Sequence, residues 1–216
     1  MLLNYTRFQN FINLIAEQIR KQSRIAAAAG STYVRWGRTR CPSSGTELVY
    51  HGFAGGSMYS STGGAAEYIC LPWDPIWGYY EDAVQESNAG VHGAEYQLYQ
   101  KTLTNFFAND IKMGFDDAPC AVCRAPRSSV VMIPGRNQCY PGWTKEYHGY
   151  LAAGADGNAA ASEFDCLDIG AEILTGGAHA QNKNGKVFYL AEARCGSLPC
   201  RPYVDGRELT CVVCSK

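Results

Sequence analysis

Ten cysteines in two nearly superimposable sets constrain this 216-residue chain more than any other feature of its sequence. Gly37-Arg38-x-x-Cys41 recurs 98 residues later as Gly135-Arg136-x-x-Cys139. Tyr50-His51-Gly52-Phe53 returns as Tyr147-His148-Gly149-Tyr150, and Glu67-Tyr68-Ile69-Cys70-Leu71 as Glu163-Phe164-Asp165-Cys166-Leu167. Cys120-Ala121-Val122-Cys123 is answered by Cys211-Val212-Val213-Cys214. Four landmarks in the same order indicate a tandem duplication.

The closing Cys-x-x-Cys pairs have three competing uses. As zinc ligands they stand 87 intervening residues apart, far from the compact spacing of a zinc ribbon. As a redox motif each should open a helix, whereas Ala121-Val122 and Val212-Val213 look like strand. In an extended strand, residues three apart face opposite sides, so each cysteine of a pair can reach a different upstream partner. Disulfides are therefore expected for all ten, as in an exported protein, with Cys195 and Cys200 bracketing a short local loop. Neither a metal nor a cofactor is expected.

Between the landmarks, short strand-like runs alternate with turn signals. The runs include Thr32-Tyr33-Val34, residues 46–50, residues 130–133 and residues 186–190; the turns include Gly55-Gly56, Gly63-Gly64, Gly176-Gly177 and Asn184-Gly185. This predicts a mainly all-β, disulfide-rich body of two antiparallel subdomains. One short helix is expected near Ala94 to Phe107. The chain is 46% hydrophobic, enough for a packed core, and has no run of 18 apolar residues, so no transmembrane helix is expected.

Ahead of the body, residues 2–29 contain no proline or glycine, and Gly30 follows as a helix terminator. Tyr5, Phe8, Ile12, Ile15, Ile19, Gln22 and Ala26 recur at alternating spacings of three and four, a coiled-coil-like heptad seam of about three repeats. Isoleucine in both seam positions favours three or more strands, so a parallel trimeric stalk is predicted. The alternatives are an amphipathic helix docked on its own domain, or one lying on a membrane surface, which the polar seam residues disfavour. Residues 1–40 hold seven basic groups against one acid, Glu17; this reads as a solvated helix face rather than a polybasic tether. The overall balance of −1 argues against nucleic-acid binding. Arg7, Gln9, Asn10 and Asn13 interrupt any apolar core that a secretory signal would need. Asn4-Tyr5-Thr6 is the only sequon, making Asn4 the candidate N-glycan site. The expected organisation is a helical stalk over 1–29, a first subdomain over 30–124 and a second over 125–216.

The run from Cys41-Pro42-Ser43-Ser44-Gly45-Thr46-Glu47 to His51-Gly52, together with Cys120-Ala121-Val122-Cys123-Arg124-Ala125-Pro126, resembles the carboxy-terminal non-collagenous domain of type IV collagen. With Arg35-Trp36-Gly37-Arg38 and Arg207-Glu208-Leu209-Thr210-Cys211 added, the chain is more similar still to invertebrate short-chain, spongin-type collagens. The resemblance spans roughly residues 31 to 214. It implies two β-rich subdomains in tandem and a trimer acting as the oligomerisation head of an extracellular-matrix chain. It also implies the pairs Cys41–Cys123, Cys70–Cys120, Cys139–Cys214, Cys166–Cys211 and Cys195–Cys200. The sequence departs from that family in two ways. The first half lacks the small third bridge, leaving Leu71 to Pro119 freer to differ, and a heptad helix stands in place of any Gly-X-Y repeat. No local motif matches the family's methionine–lysine crosslink.

Catalytic signals are sparse. His51, His92, His148 and His179 fall in no nucleophile or metal motif, and Asp116-Asp117 are adjacent and would point apart. There is no Gly-x-Ser-x-Gly elbow and no phosphate-binding glycine loop. The expectation is a secreted, non-enzymatic matrix protein whose partners are copies of itself. The alternative is a multivalent glycan-binding module on the same trimeric scaffold, engaging extracellular glycans or matrix proteins. Its candidate patch is Trp73, Trp77, Tyr79 and Tyr80, in the non-repeated insert. Against that, tryptophans near disulfides mostly fill cores.

Overall fold

The glycine-punctuated apolar runs are strands. In the computed structural model, residues 9–20, 29–43, 45–85, 88–98, 106–108, 114–174 and 182–216 are described. Residues 9–20 form a helix, α1. Eleven strands follow: β1 Ser31–Trp36, β2 Glu47–Gly56, β3 Ile69–Pro72, β4 His92–Gln97, β5 Gly114–Asp117, β6 Pro119–Ala125, β7 Val130–Pro134, β8 Thr144–Ala153, β9 Asp165–Asp168, β10 Lys186–Leu190 and β11 Thr210–Ser215. The protein is thus mainly β. The expected boundary between residues 124 and 125 falls just inside the end of β6.

In the first half, β1, β6, β2 and β3 pair in that order; in the second, β7, β11, β8 and β9 do the same, all antiparallel. Two parallel contacts join the halves, β1 to β9 and β4 to β10. Because β10 pairs with β8 as well as β4, the path β10-β4-β2-β6-β1-β9-β8 returns on itself. Each of these seven strands sends a buried side chain into one core, namely Phe188, Tyr96, Ala54, Cys120, Trp36, Leu167 and Ala152. Stacking of Tyr68 on Phe188, with ring centroids 4.3 Å apart, adds a large apolar area at its centre. A second core gathers Tyr33, Ala121, Cys123, Tyr147, Leu151, Cys166, Cys211 and Val213.

The cysteines pair Cys41–Cys123, Cys70–Cys120, Cys139–Cys214, Cys166–Cys211 and Cys195–Cys200, the same pairs that the resemblance implies, with Cα separations of 5.5 to 6.0 Å. Cys120 and Cys123 lie three apart on β6 and reach different partners, as do Cys211 and Cys214 on β11. All five bridges stay within one half.

The repeated His-Gly has a packing reason. A Cβ on Gly52 would fall on the carbonyl oxygen of Leu71, and one on Gly149 on that of Leu167. Only glycine lets β3 approach β2, and β9 approach β8, this closely.

One expectation is corrected. Ala94 to Gln97 is not helical but belongs to β4, flanked by β2, β5 and β10. Pairing on both sides and burial of Ala94 and Tyr96 outweigh a weak local helical pattern. Phe106 to Ala108 form a turn, and residues 99–105 lie outside the described residues. Of the predicted seam, Ile12, Ile15 and Ile19 are on α1, whereas Tyr5, Phe8, Gln22 and Ala26 lie outside the described residues, as do Asn4 and His179.

Candidate functional site

Two apolar surfaces face solvent. On α1, Phe11, Ile12, Leu14, Ile15 and Ile19 are all exposed, so the described turns of the helix are not docked on the body. On the body, β3 ends at Pro72, Trp73 still donates its N–H to the His51 carbonyl, and Pro75 follows as the chain leaves the sheet. Beyond them Ile76 is 98%, Trp77 74% and Tyr79 96% exposed. Trp73 remains anchored, stacked on Phe53 at 4.9 Å and near His51, yet is still 56% exposed; Tyr80 is exposed too. Trp36 is the tryptophan that fills a core; Trp73 and Trp77 do not.

The matching segment of the second half behaves in the opposite way. Counting from Cys70 and Cys166, residues 73–78 correspond to residues 169–174. The latter fold onto the first half. Ala171 is fully buried, Ile173 packs on the first core, and the Glu172 N–H donates to the Gly37 carbonyl at 2.7 Å. The Tyr96 hydroxyl donates to the Glu172 carbonyl, and Arg38 reaches the Gly170 carbonyl at 2.6 Å and the Glu172 carboxylate at 3.1 Å. Arg35 adds a 2.7 Å ion pair to buried Asp168. A third link across the halves is the buried Glu146 carboxylate, which accepts from Tyr33 at 3.0 Å, from Arg127 at 2.6 Å and from the Ser215 hydroxyl.

Arg136 repeats Arg38 in sequence but makes no ion pair among the described residues, although Glu208 lines the same cleft. Among the described residues, Arg35, Arg38, Arg124, Arg127 and Arg194 make ion pairs, whereas Arg136 lies over the Tyr140 ring at 4.3 Å and bonds the Gln138 carbonyl. It borders a cleft of about 460 Å³ walled by Tyr140, Tyr203, Leu209 and Arg207. One wall is held by the Cys195–Cys200 bridge, the 2.9 Å Ala193–Arg207 backbone bond and the Asp205 carboxylate on the Cys195 N–H.

Two ionisable groups sit in unusual surroundings. The Lys186 ammonium is buried, bonded to the Ala66 and Ala161 carbonyls and over the Tyr68 ring at 4.6 Å; burial lowers its pKa against the pull of Asp165, Glu163 and Glu67. Burial pushes the Asp165 carboxyl up to about 6, with Glu163 adding to the rise and the Trp36 indole and Lys186 opposing it. A carboxyl raised in the fold contributes stability below its unfolded value of 3.8 that is lost as pH rises through 6. Asp165→Asn is therefore expected to stabilise the protein at pH 7 by about 1–2 kcal/mol, allowing for the carboxyl's partial exposure, and to flatten the stability profile between those two pH values. Denaturant melts of both proteins across that range check this; equal stability at pH 7 contradicts it.

The described histidines do not converge. His51 is exposed against Trp73, His92 is exposed on β4, and His148 is half-buried with its pKa lowered by burial and by Lys145. Asp116 and Asp117 are adjacent on β5, one buried and one half-buried. Among the described residues no three His, Cys, Asp or Glu side chains are grouped to hold a metal ion, and no helix is long and apolar enough to cross a membrane. The fold defines a disulfide-bonded β protein with exposed apolar surfaces. No family model matches the chain.

Proposed function

We propose that this chain is a secreted assembly protein of the extracellular matrix, a tandem duplication that trimerises through its helix and its β head. One observation carries the reading. The second half docks residues 169–174 beside Arg38, while the corresponding residues 73–78 stand exposed and the corresponding arginine, Arg136, borders an open cleft. A second copy satisfies both, its Ile76 and Trp77 filling the apolar part of the cleft and its Asp74 supplying a carboxylate near Arg136. Each copy gives one segment and receives one, a head-to-tail contact that closes as a ring. Ile12, Ile15 and Ile19, exposed on α1, favour three or more strands in such a seam, which supports a trimer, and burying each contributes roughly 1.5–3 kcal/mol per chain. The resemblance to collagen non-collagenous heads and the five disulfides agree with an extracellular role.

Light scattering at about 10 µM is expected to give three times the chain mass. Ile76→Asp with Trp77→Ala removes the head contact, Ile12→Asp with Ile19→Asp removes the helix contact, and all four together yield monomer. A monomeric parent chain overturns the reading. The exposure of Trp73, Trp77, Tyr79 and Tyr80 favours a second reading, a glycan-binding module whose rings stack on sugar faces. A glycan array on the intact protein separates the two: assembly without any glycan signal leaves the first alone.

A further inference from the structure

The junction between the halves also opens into a cleft unrelated to the assembly surfaces. β1 and β9 are bridged only at Trp36 and Leu167. Ahead of that bridge the two strands are not paired with each other, and the Tyr147 hydroxyl donates between them, 3.0 Å from the carbonyl oxygens of both Val34 and Cys166. The resulting cleft, about 300 Å³, has Tyr33, Trp36, Tyr68, Tyr147, Asp165 and Glu163 among its lining residues.

We propose that this cleft binds an organic ammonium ion, its cationic head against the aromatic rings and beside the Asp165 and Glu163 carboxylates. The negative faces of aromatic rings attract cations, most strongly where water is excluded. The protein's own cations already use this cluster, the Lys186 ammonium lying 4.6 Å over Tyr68 and the Arg35 guanidinium 5.8 Å over Tyr147. Asp165 is left with an acceptor to spare. Among the described residues it makes no ion pair, and the Trp36 indole is its hydrogen-bond donor. The charge that burial makes costly there is the one a bound cation would stabilise. Two carboxylates exclude an anion, and the volume lies at the small end of ligand sites. Nothing in this site depends on the oligomeric state, so it stands or falls apart from assembly.

The test compares choline with its uncharged isostere, in which a tert-butyl group replaces the trimethylammonium. Calorimetry on the full chain is expected to show choline binding at least about tenfold more tightly than the isostere. Asp165→Asn with Glu163→Gln is expected to weaken choline at least about tenfold while leaving the circular dichroism of the protein unchanged. Chemical-shift mapping on the unaltered chain provides a readout independent of those variants, with perturbations expected at Tyr33, Trp36, Tyr68 and Tyr147. Equal affinity for choline and its isostere, shifts elsewhere on the surface, or no binding up to about 10 mM overturns the proposal.

Discussion

Reducing the five disulfides is expected to unfold the β body without denaturant. The bridges do the stapling in two small, glycine-rich halves whose cores are shared rather than self-contained. The individual contributions should differ with the loop each bridge closes. Cys166–Cys211 joins two buried residues 45 apart, and removing it as Cys166→Ala with Cys211→Ala should cost about 4 kcal/mol through restored chain entropy. Cys195–Cys200 closes a span of 5 on the exposed surface, and its removal should cost about 2 kcal/mol at most. Denaturant melts of the two double variants measure both. A reduced protein that keeps its far-ultraviolet spectrum, or free thiols in the unreduced protein, would sink this account.

Gly149→Ala should leave little or no folded protein. Its Cβ would land on the Leu167 carbonyl oxygen and within 2.7 Å of the Ile169 N–H nitrogen, backbone atoms that cannot rotate away. The only relief is to lift β9 from β8, and β9 carries Cys166, the Leu167 core contact and the Asp168 partner of Arg35. The expected loss exceeds about 4 kcal/mol, the range reserved for changes that break several contacts at once. Gly52→Ala should behave alike, through the Leu71 carbonyl. Gly157→Ala, with nothing within 4 Å, is the control and should fall within about 0.5 kcal/mol of the parent. If Gly149→Ala melts within about 1 kcal/mol of the parent, β9 does not approach β8 as described.

What could be read from the sequence was whatever rests on local geometry. Cys120 and Cys123 must face opposite ways if Ala121-Val122 is strand, and they do. The runs at Tyr33, Val131 and Phe188 are strands because β-branched and aromatic side chains suit a pleated surface. Long-range context decided the rest. Trp36 and Trp77 look alike in sequence, and only the close of the strand path around Trp36 buries it. Arg35 and Asp168 meet across 133 residues with no motif to announce it. Arg38 and Arg136 are the sharpest case. Matching positions of the repeated sequence motif carry one arginine with an ion pair and one on an aromatic shelf, because Glu172 folds back within the chain while Ile76 stands exposed. The strand state of β4 is set in the same way, by neighbours β2, β5 and β10 drawn from both halves.

Every bridge lies inside one half, so apart from the backbone between β6 and β7 the two halves share no covalent bond. The join between them holds two short parallel strand contacts, the Arg35–Asp168 and Arg38–Glu172 ion pairs, the tyrosine hydroxyls of Tyr33, Tyr96 and Tyr147, and two apolar cores to which both halves contribute. Oxidation can therefore rivet each half shut without ever locking one to the other. Because both halves line both cores, parting them would open those cores as well, so heat or mechanical load is expected to take the join and the packing together, while the intact bridges keep the strands of each half tethered for return.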